Sequence, residues 1–194
     1  MSKIALKGSA MLNPVPAVLI TSRKDGFVNV FTAAWVGTIC TKPPMVSVSI
    51  RPERLSYEMI KSTGQFTINL PGSKLVRALD FCGVRSGRDV DKIEKFNLTL
   101  EDGIQIDAPS IAECPVALEC SVTEILPLGS HHMFIAEVVQ VKVEETLVDG
   151  NGRIRFDKAD LVCYSHGEYF PLKNVPLGKF GYSVQKKKSK GRIK

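Results

Sequence analysis

The sequence predicts a mainly β protein, a closed or nearly closed antiparallel barrel with a few short helices. Three observations carry this. Short runs of alternating apolar and polar residues recur along the whole chain, turn residues punctuate them, and strands never alternate with long helices in a βαβ rhythm. With 194 residues, 44% of them hydrophobic, the chain can bury a real core. The expected organisation is one domain over 1–185 and a basic tail over 186–194.

The elements follow in order. AVLITS (17–22) and FVNVFTAAW (27–35) flank Lys24-Asp25-Gly26, and Asp-Gly between two β-rich runs signals a hairpin because both residues tolerate positive φ. MVSVSI (45–50) and QFTINL (65–70) alternate, and between them LSYEMIKSTG reads as a short helix with Leu55, Met59 and Ile60 inward and Gly64 as its stop. SKLVRALDFCG (73–83) is a second helix with Leu75, Val76 and Leu79 inward, followed by the polar loop VRSGRDVDK and then IEKF. VALECSVTEIL (116–126) and HMFIAEVVQVKVEE (132–145) are longer strands, the latter slipping phase at Val138-Val139 as a β-bulge would. DGNG (149–152) marks a turn, and IRF, LVCYS and EYFPL complete the strands.

Charge and cysteine usage exclude several classes. Of the 26 Lys and Arg, six fall in the last nine residues, KKKSKGRIK, leaving 20 against 20 Asp and Glu, so the domain itself is formally neutral. The tail reads as a solvated segment, or as a contact for a polyanion or an acidic protein. Nucleic acid is not the expected main partner, because the barrel lacks interleaved aromatic and basic residues. No apolar run is long enough for a membrane-spanning helix, and five cysteines with no C-x-x-C pair suit free thiols in a reducing, cytoplasmic setting.

Motifs for a Rossmann dinucleotide site, a P-loop, a zincin or a G-x-S-x-G nucleophile are absent, and the three histidines have no metal-ligand spacing; His131 and His132 point to opposite faces. What remains is SIRPERLSYEMI. A strand ending at Ser49-Ile50-Arg51 and passing through Pro52 into a helix offers free backbone N–H groups, guanidinium forks at Arg51 and Arg54, and a hydroxyl at Ser56. Such a set suits a phosphate, over which Arg85-Ser86-Gly87-Arg88 could close. The competing reading is two surface loops whose arginines pair with Glu53, Asp89 and Asp91.

NVFTAAW, SVSIRPERLSYEMI, FCGVRSGRDVDK, GSHHMFIAEVVQV, YSHGEYFPL and GKFGYSV, in this order and spacing, resemble the flavin reductase-like proteins with an FMN-binding split barrel, particularly the flavoredoxin and ferric reductase branch. The resemblance runs from about Leu12 to Val184. It implies a six-stranded antiparallel split barrel of Greek-key type, a homodimer with FMN near the interface, and electron transfer through that flavin. It places Thr32, Ala33, Ala34 and Trp35 at the flavin ring and Ser49, Ile50 and Arg51 under the ribityl chain. Arg51, Arg54, Ser56 and Tyr57 would surround the phosphate, and Ser86, Gly87, Arg88 and Lys92 would close the site. On local sequence alone, Trp35 reads equally as a core aromatic, and Ala33 and Ala34 as tight packing.

The family pattern Gly-Asp-His becomes Gly129-Ser130-His131 here, so the resemblance puts His131 where a hydride donor docks but removes the acid that would support its tautomer. A strand-end histidine satisfied by backbone or solvent is the alternative. Cys82 matches a cysteine of the family's D-F-C-G segment and reads as a buried, inert thiol. Three functions are expected in turn: an enzyme oxidising NADH or NADPH and reducing free flavin or ferric complexes, an FMN electron carrier serving redox proteins without nicotinamide, or a basic-tailed binding barrel.

Overall fold

The computed structural model describes residues 1–184, so the basic tail expected over 186–194 lies outside the described residues. Short β1 (Val15–Pro16) leads into β2 (Val18–Lys24) and β3 (Phe27–Ala33), joined by the two-residue loop Asp25-Gly26 with φ of 51° and 78°. This is the hairpin the Asp-Gly pair predicts. The chain then forms β4 (Val36–Thr41), β5 (Pro44–Ile50), α1 (Leu55–Thr63), β6 (Gln65–Leu70), α2 (Val76–Val84) and α3 (Lys92–Lys95). After the short β7 (Leu100–Glu101) and β8 (Ser110–Ile111) come the long β9 (Val116–Pro127) and β10 (His132–Val143), then β11 (Val162–Ser165) and β12 (Glu168–Pro171).

Seven strands form the main sheet in the order β3-β2-β6-β9-β10-β5-β4, one more than the six expected. Every ladder in it is antiparallel. The extra strand is β4, whose VGTICT offers no clean alternation because it lies on the edge and is largely exposed. Ala34-Trp35 carries the chain from one edge strand, β3, directly to the other, β4. Ser49 N–H donates to the Trp35 carbonyl at 2.9 Å, so the sheet curls until the end of β3 approaches β5. Between them the barrel stays split.

Two cores explain the burial pattern. Val18, Ile20, Phe31, Ala33, Val46, Val48, Ile50, Phe66, Ile68, Phe134 and Ala136 fill the barrel interior. Leu19 and Val30, on the opposite faces of β2 and β3, pack beneath α2 with Leu79 and Cys82. Strands covered on both sides lose the in–out alternation of a half-buried strand, which is why β2 is buried without a break from Val18 to Ser22. Gly64, at φ 69°, ends α1 with its N–H on the Ile60 carbonyl at 2.8 Å. The bulge expected at Val138-Val139 is present: Val138 pairs with Cys120 and Gln140 with Glu119, leaving Val139 unpaired.

Two expectations are corrected. IRF is no strand: Ile154 makes one isolated bridge to Val148, and Phe156–Lys158 is a 3-10 turn tightened by the Arg155–Asp157 ion pair at 2.6 Å. LVCYS and EYFPL do form strands, β11 and β12, but they join β1 in a separate three-stranded sheet outside the barrel.

Candidate functional site

The split between β3 and β5 opens into a cleft of about 150 Å³. Its walls come from Phe31, Thr32, Ala33, Ala34 and Trp35 on one side and Ser49, Ile50, Arg51 and Arg54 on the other, with His131 at the end. Ala33 and Ile50, 6% and 1% exposed, form its floor, whereas Trp35 at 38% and the exposed Arg51 stand at the rim. The hydroxyl of Thr32 is already committed, donating to the Leu79 carbonyl and tying α2 to β3.

A second hollow adjoins the cleft, with Arg54 lining both. Around it converge Asn29 and Phe31 of β3, Leu55 and Ser56 of α1, Arg85, Ser86 and Gly87 of the loop after α2, and Lys92 at the start of α3. Asn29 Nδ2 donates to Ser56 Oγ at 2.7 Å, which occupies the oxygen as acceptor and leaves the Ser56 O–H free to donate. The α1 N-terminus has no side-chain cap, and with the Tyr57 N–H donated to the Arg54 carbonyl at 3.0 Å the amides of Leu55 and Ser56 are open among the described residues. The hollow measures about 10 Å³, room for one water, so a larger anion must lie across its mouth, toward Arg54.

Lys92 is the unusual group. It is 3% exposed, and among the described residues its ammonium donates only to the Arg85 carbonyl, at 3.3 Å. No carboxylate pairs with it among the described residues. Burial lowers its pKa below the ordinary lysine value; the nearby Cys82 opposes that shift and the Arg54 guanidinium adds to it. Neither Arg51 nor Arg54 has an ion-pair partner among the described residues. A buried cation beside a second cation is costly unless an anion joins them.

His131 sits at the end of the cleft with Nδ1 3.0 Å from Ser130 Oγ. Ser130 thus takes over the orienting contact that sequence reasoning assigned to a missing acid. Burial lowers the His131 pKa and Arg51 lowers it further, against an opposing pull from Glu53, which favours the neutral ring. Nε2 has no hydrogen-bond partner among the described residues.

Two expected groups fall outside this constellation, and a third borders only one of its two parts. Tyr57 is buried away from both hollows: its hydroxyl meets His132 Nδ1 at 2.8 Å and its ring packs edge-on against Phe134. Arg88 turns outward, donating to the Glu53 carbonyl at 2.9 Å and pairing with Glu58 at 3.2 Å, so it fastens the loop onto α1. Arg51 lines the open cleft and not the hollow. Cys82 is fully buried and its thiol is pushed up to about 11 by burial, partly offset by Lys92, so it stays protonated at neutral pH. Asn29, Phe31, Leu55 and Arg85 were not foreseen as site residues. Asn29 carried a signal: a polar residue at an inward position of an otherwise apolar strand needs a partner.

The model of the flavin reductase like domain matches residues 11–173. Among solved structures, the flavoredoxin of Desulfovibrio vulgaris (Miyazaki F) is 31% identical, with a TM-score of 0.87 over 94% of this chain and 100% of that one. The flavoredoxin of Methanosarcina acetivorans is 28% identical, with a TM-score of 0.85 over 95% of this chain and 100% of that one. A protein of Moorella thermoacetica named high molecular weight rubredoxin is 31% identical over 127 residues, 64% of this chain and 54% of its own length. A match of this extent, over a barrel split where the sequence motifs converge, establishes that the chain belongs to the flavin reductase-like domain family.

Proposed function

We propose that the chain is an FMN-dependent oxidoreductase, with the phosphate of FMN across the mouth of the hollow and its ring in the cleft. The observation that carries this reading is Lys92, a buried ammonium with one weak partner and no carboxylate among the described residues, beside Arg54. A terminal phosphate supplies the anion this pair lacks. Arg54 and Lys92 would neutralise it, while the Ser56 hydroxyl, the open amides of α1 and Ser86 would fix its orientation. Arg54, which borders both hollows, joins the phosphate end to the ring end.

When bound, the flavin supplies the hydride and electron chemistry, so no protein nucleophile is needed. The chain's own contribution is binding, orientation and electrostatics. Among the described residues no carboxylate lines the cleft, and the guanidinium of Arg51 favours negative charge developing there. His131, held by Ser130, presents Nε2 where a reacting group would lie. At about 150 Å³ the cleft is smaller than the roughly 300–1,000 Å³ of a complete ligand pocket. A second copy of the chain is therefore proposed to cover part of the cofactor in a homodimer.

NADH or NADPH is the proposed donor, with free flavin or a ferric complex as acceptor, because the open rim leaves a flat surface at Trp35 beside an unpaired arginine. The second reading, an electron carrier serving redox proteins without nicotinamide, is favoured by the likeness to flavoredoxins over their full length and by the rubredoxin-named relative. Anaerobic rapid mixing of the FMN-loaded protein with NADH and NADPH separates the two. Saturable bleaching of the flavin is expected for the reductase. No bleaching with either nucleotide, but full bleaching by dithionite or a reduced ferredoxin, would overturn that reading in favour of the carrier.

A further inference from the structure

We infer, independently of the FMN reading, that the two ends of the chain and the apolar groove at which both are anchored form a docking surface for an anionic lipid bilayer.

Charge is divided unevenly along the chain. No Asp or Glu precedes Asp25, and none follows Glu168. The stretch after Glu168 carries eight Lys and Arg, Lys173 and Lys179 together with the six of KKKSKGRIK, and the N-terminal arm adds Lys3 and Lys7. Apolar side chains stand between these cations in the open. Ile4, Leu6 and Leu12 are exposed, and Leu177 and Phe180, at 102% and 108%, are shielded by nothing among the described residues. Such side chains gain by leaving water, and the fold gives them no core to enter.

Both ends are anchored at one groove of about 350 Å³. Pro14 and Val15, where the N-terminal arm enters β1, and Leu172, where the chain leaves β12, line it together with Leu70, Pro71 and Leu161. Among the described residues no charged side chain lines it, and none of its lining residues borders the cleft or the hollow beside Arg54. The groove belongs to the side of the three-stranded sheet β1-β11-β12, outside the barrel.

The combination selects the partner. A nucleic acid would take the cations but leave Leu177 and Leu6 in water. A second copy brings ends of the same charge, so end against end repels. An anionic bilayer satisfies both properties: its headgroups attract the lysines and Arg192, and its acyl boundary takes the leucines and Phe180. Neither property is enough alone, because stable attachment to a membrane surface takes an apolar anchor together with a polybasic segment.

The test sediments the full chain with vesicles of phosphatidylcholine alone and of phosphatidylcholine and phosphatidylglycerol in equal amounts, at low and high salt. Binding to the anionic vesicles is expected to be on the order of a hundredfold stronger at low salt, with a fraction that survives high salt. Deleting residues 186–194 should remove the preference for the anionic vesicles. Leu177→Ser with Phe180→Ser should keep the preference, weaken binding on the order of tenfold, and abolish the salt-resistant fraction. Thermal melts check that each variant is folded, which full exposure of both side chains leads us to expect. Absence of binding, or equal binding to both vesicles, would overturn the proposal. So would salt-resistant binding unchanged in the double variant. Duplex DNA that binds more tightly than the anionic vesicles and displaces the chain from them would assign the cations to nucleic acid instead. Sedimentation velocity without vesicles covers the remaining occupant: a wild-type dimer that the double substitution splits, with vesicle binding unaltered, would give the apolar side chains to a second copy and overturn the proposal as well.

Discussion

The side-chain amide of Asn29 donates to Ser56 Oγ at 2.7 Å, joining β3 to the first turn of α1, and Gly87 lies against the same amide. A Cβ at position 87 would stand 2.0 Å from Asn29 Oδ1, 2.8 Å from its Cγ and 3.2 Å from Leu55 Cδ2. Asn29 is 3% exposed and has no room to swing aside. Gly87 is thus required by close approach and not by its φ. This contact closes the hollow beside Arg54 and Lys92 and aims the Ser56 hydroxyl.

Gly87→Ala should therefore cost roughly 1–3 kcal/mol of stability, as overpacking does, and weaken FMN binding by displacing Ser56. Urea denaturation of the apoprotein and FMN titration check both effects. Wild-type values for both would show that the loop is free to move away from Asn29.

Lys92→Met should move stability and binding in opposite directions. Removing a buried, poorly paired cation relieves a desolvation cost, so the apoprotein should melt higher than the wild type. FMN should bind more weakly by about 1.5–3 kcal/mol, the range for a lost charged hydrogen bond, while riboflavin binding stays the same. Thermal melts and paired titrations read the outcome. An equal loss for both ligands would make Lys92 a structural residue.

The same lysine sets a pH dependence. Its folded pKa is lowered by burial, with Arg54 adding to the effect, so between that depressed value and the ordinary 10.5 the unfolded chain binds the extra proton. Lys92 thus contributes a stability that rises with pH across that window, opposite to the buried thiols of Cys82, Cys114 and Cys120, so its part is read as the difference between the wild type and Lys92→Met. A phosphate favours the ammonium, so FMN binding there must take up a proton. The ratio of FMN to riboflavin affinity should consequently fall as pH rises toward 10.5, and should be flat in Lys92→Met. Using the ratio cancels titration of the flavin ring itself.

Tyr57 was expected beside the phosphate and instead joins α1 to β10 through His132. Tyr57→Phe should leave FMN affinity unchanged and cost about 1 kcal/mol of stability for the lost hydrogen bond. A selective loss of FMN over riboflavin would return the phenol to the cofactor.

Local chemistry explains how far the sequence could be read. The Asp25-Gly26 hairpin, α1 with its Gly64 stop, β6 and the bulge at Val139 each follow from a few neighbouring residues, and each is present. β4 was missed because an exposed edge strand needs no alternation, and Ile154 was misread because an apolar residue beside Arg155 and Asp157 belongs to a turn closed by their ion pair. Arg54, Ser56, Ser86 and Lys92, named from the family motifs, come together around one hollow. Tyr57 and Arg88 line neither the cleft nor the hollow, because proximity in sequence does not decide which way a side chain leaves a helix or loop. Asn29 lies 27 residues from Ser56, and only the packing of β3 against α1 brings them together.

Phosphate recognition by the Arg54–Lys92 pair is the central claim, and competitive calorimetric titration of flavin-free protein with FMN and riboflavin tests it most directly. The account predicts FMN binding tighter by two charged contacts, on the order of a hundredfold or more, and an advantage that shrinks strongly in Lys92→Met. Equal affinities for FMN and riboflavin, or an advantage unchanged in Lys92→Met, would contradict it.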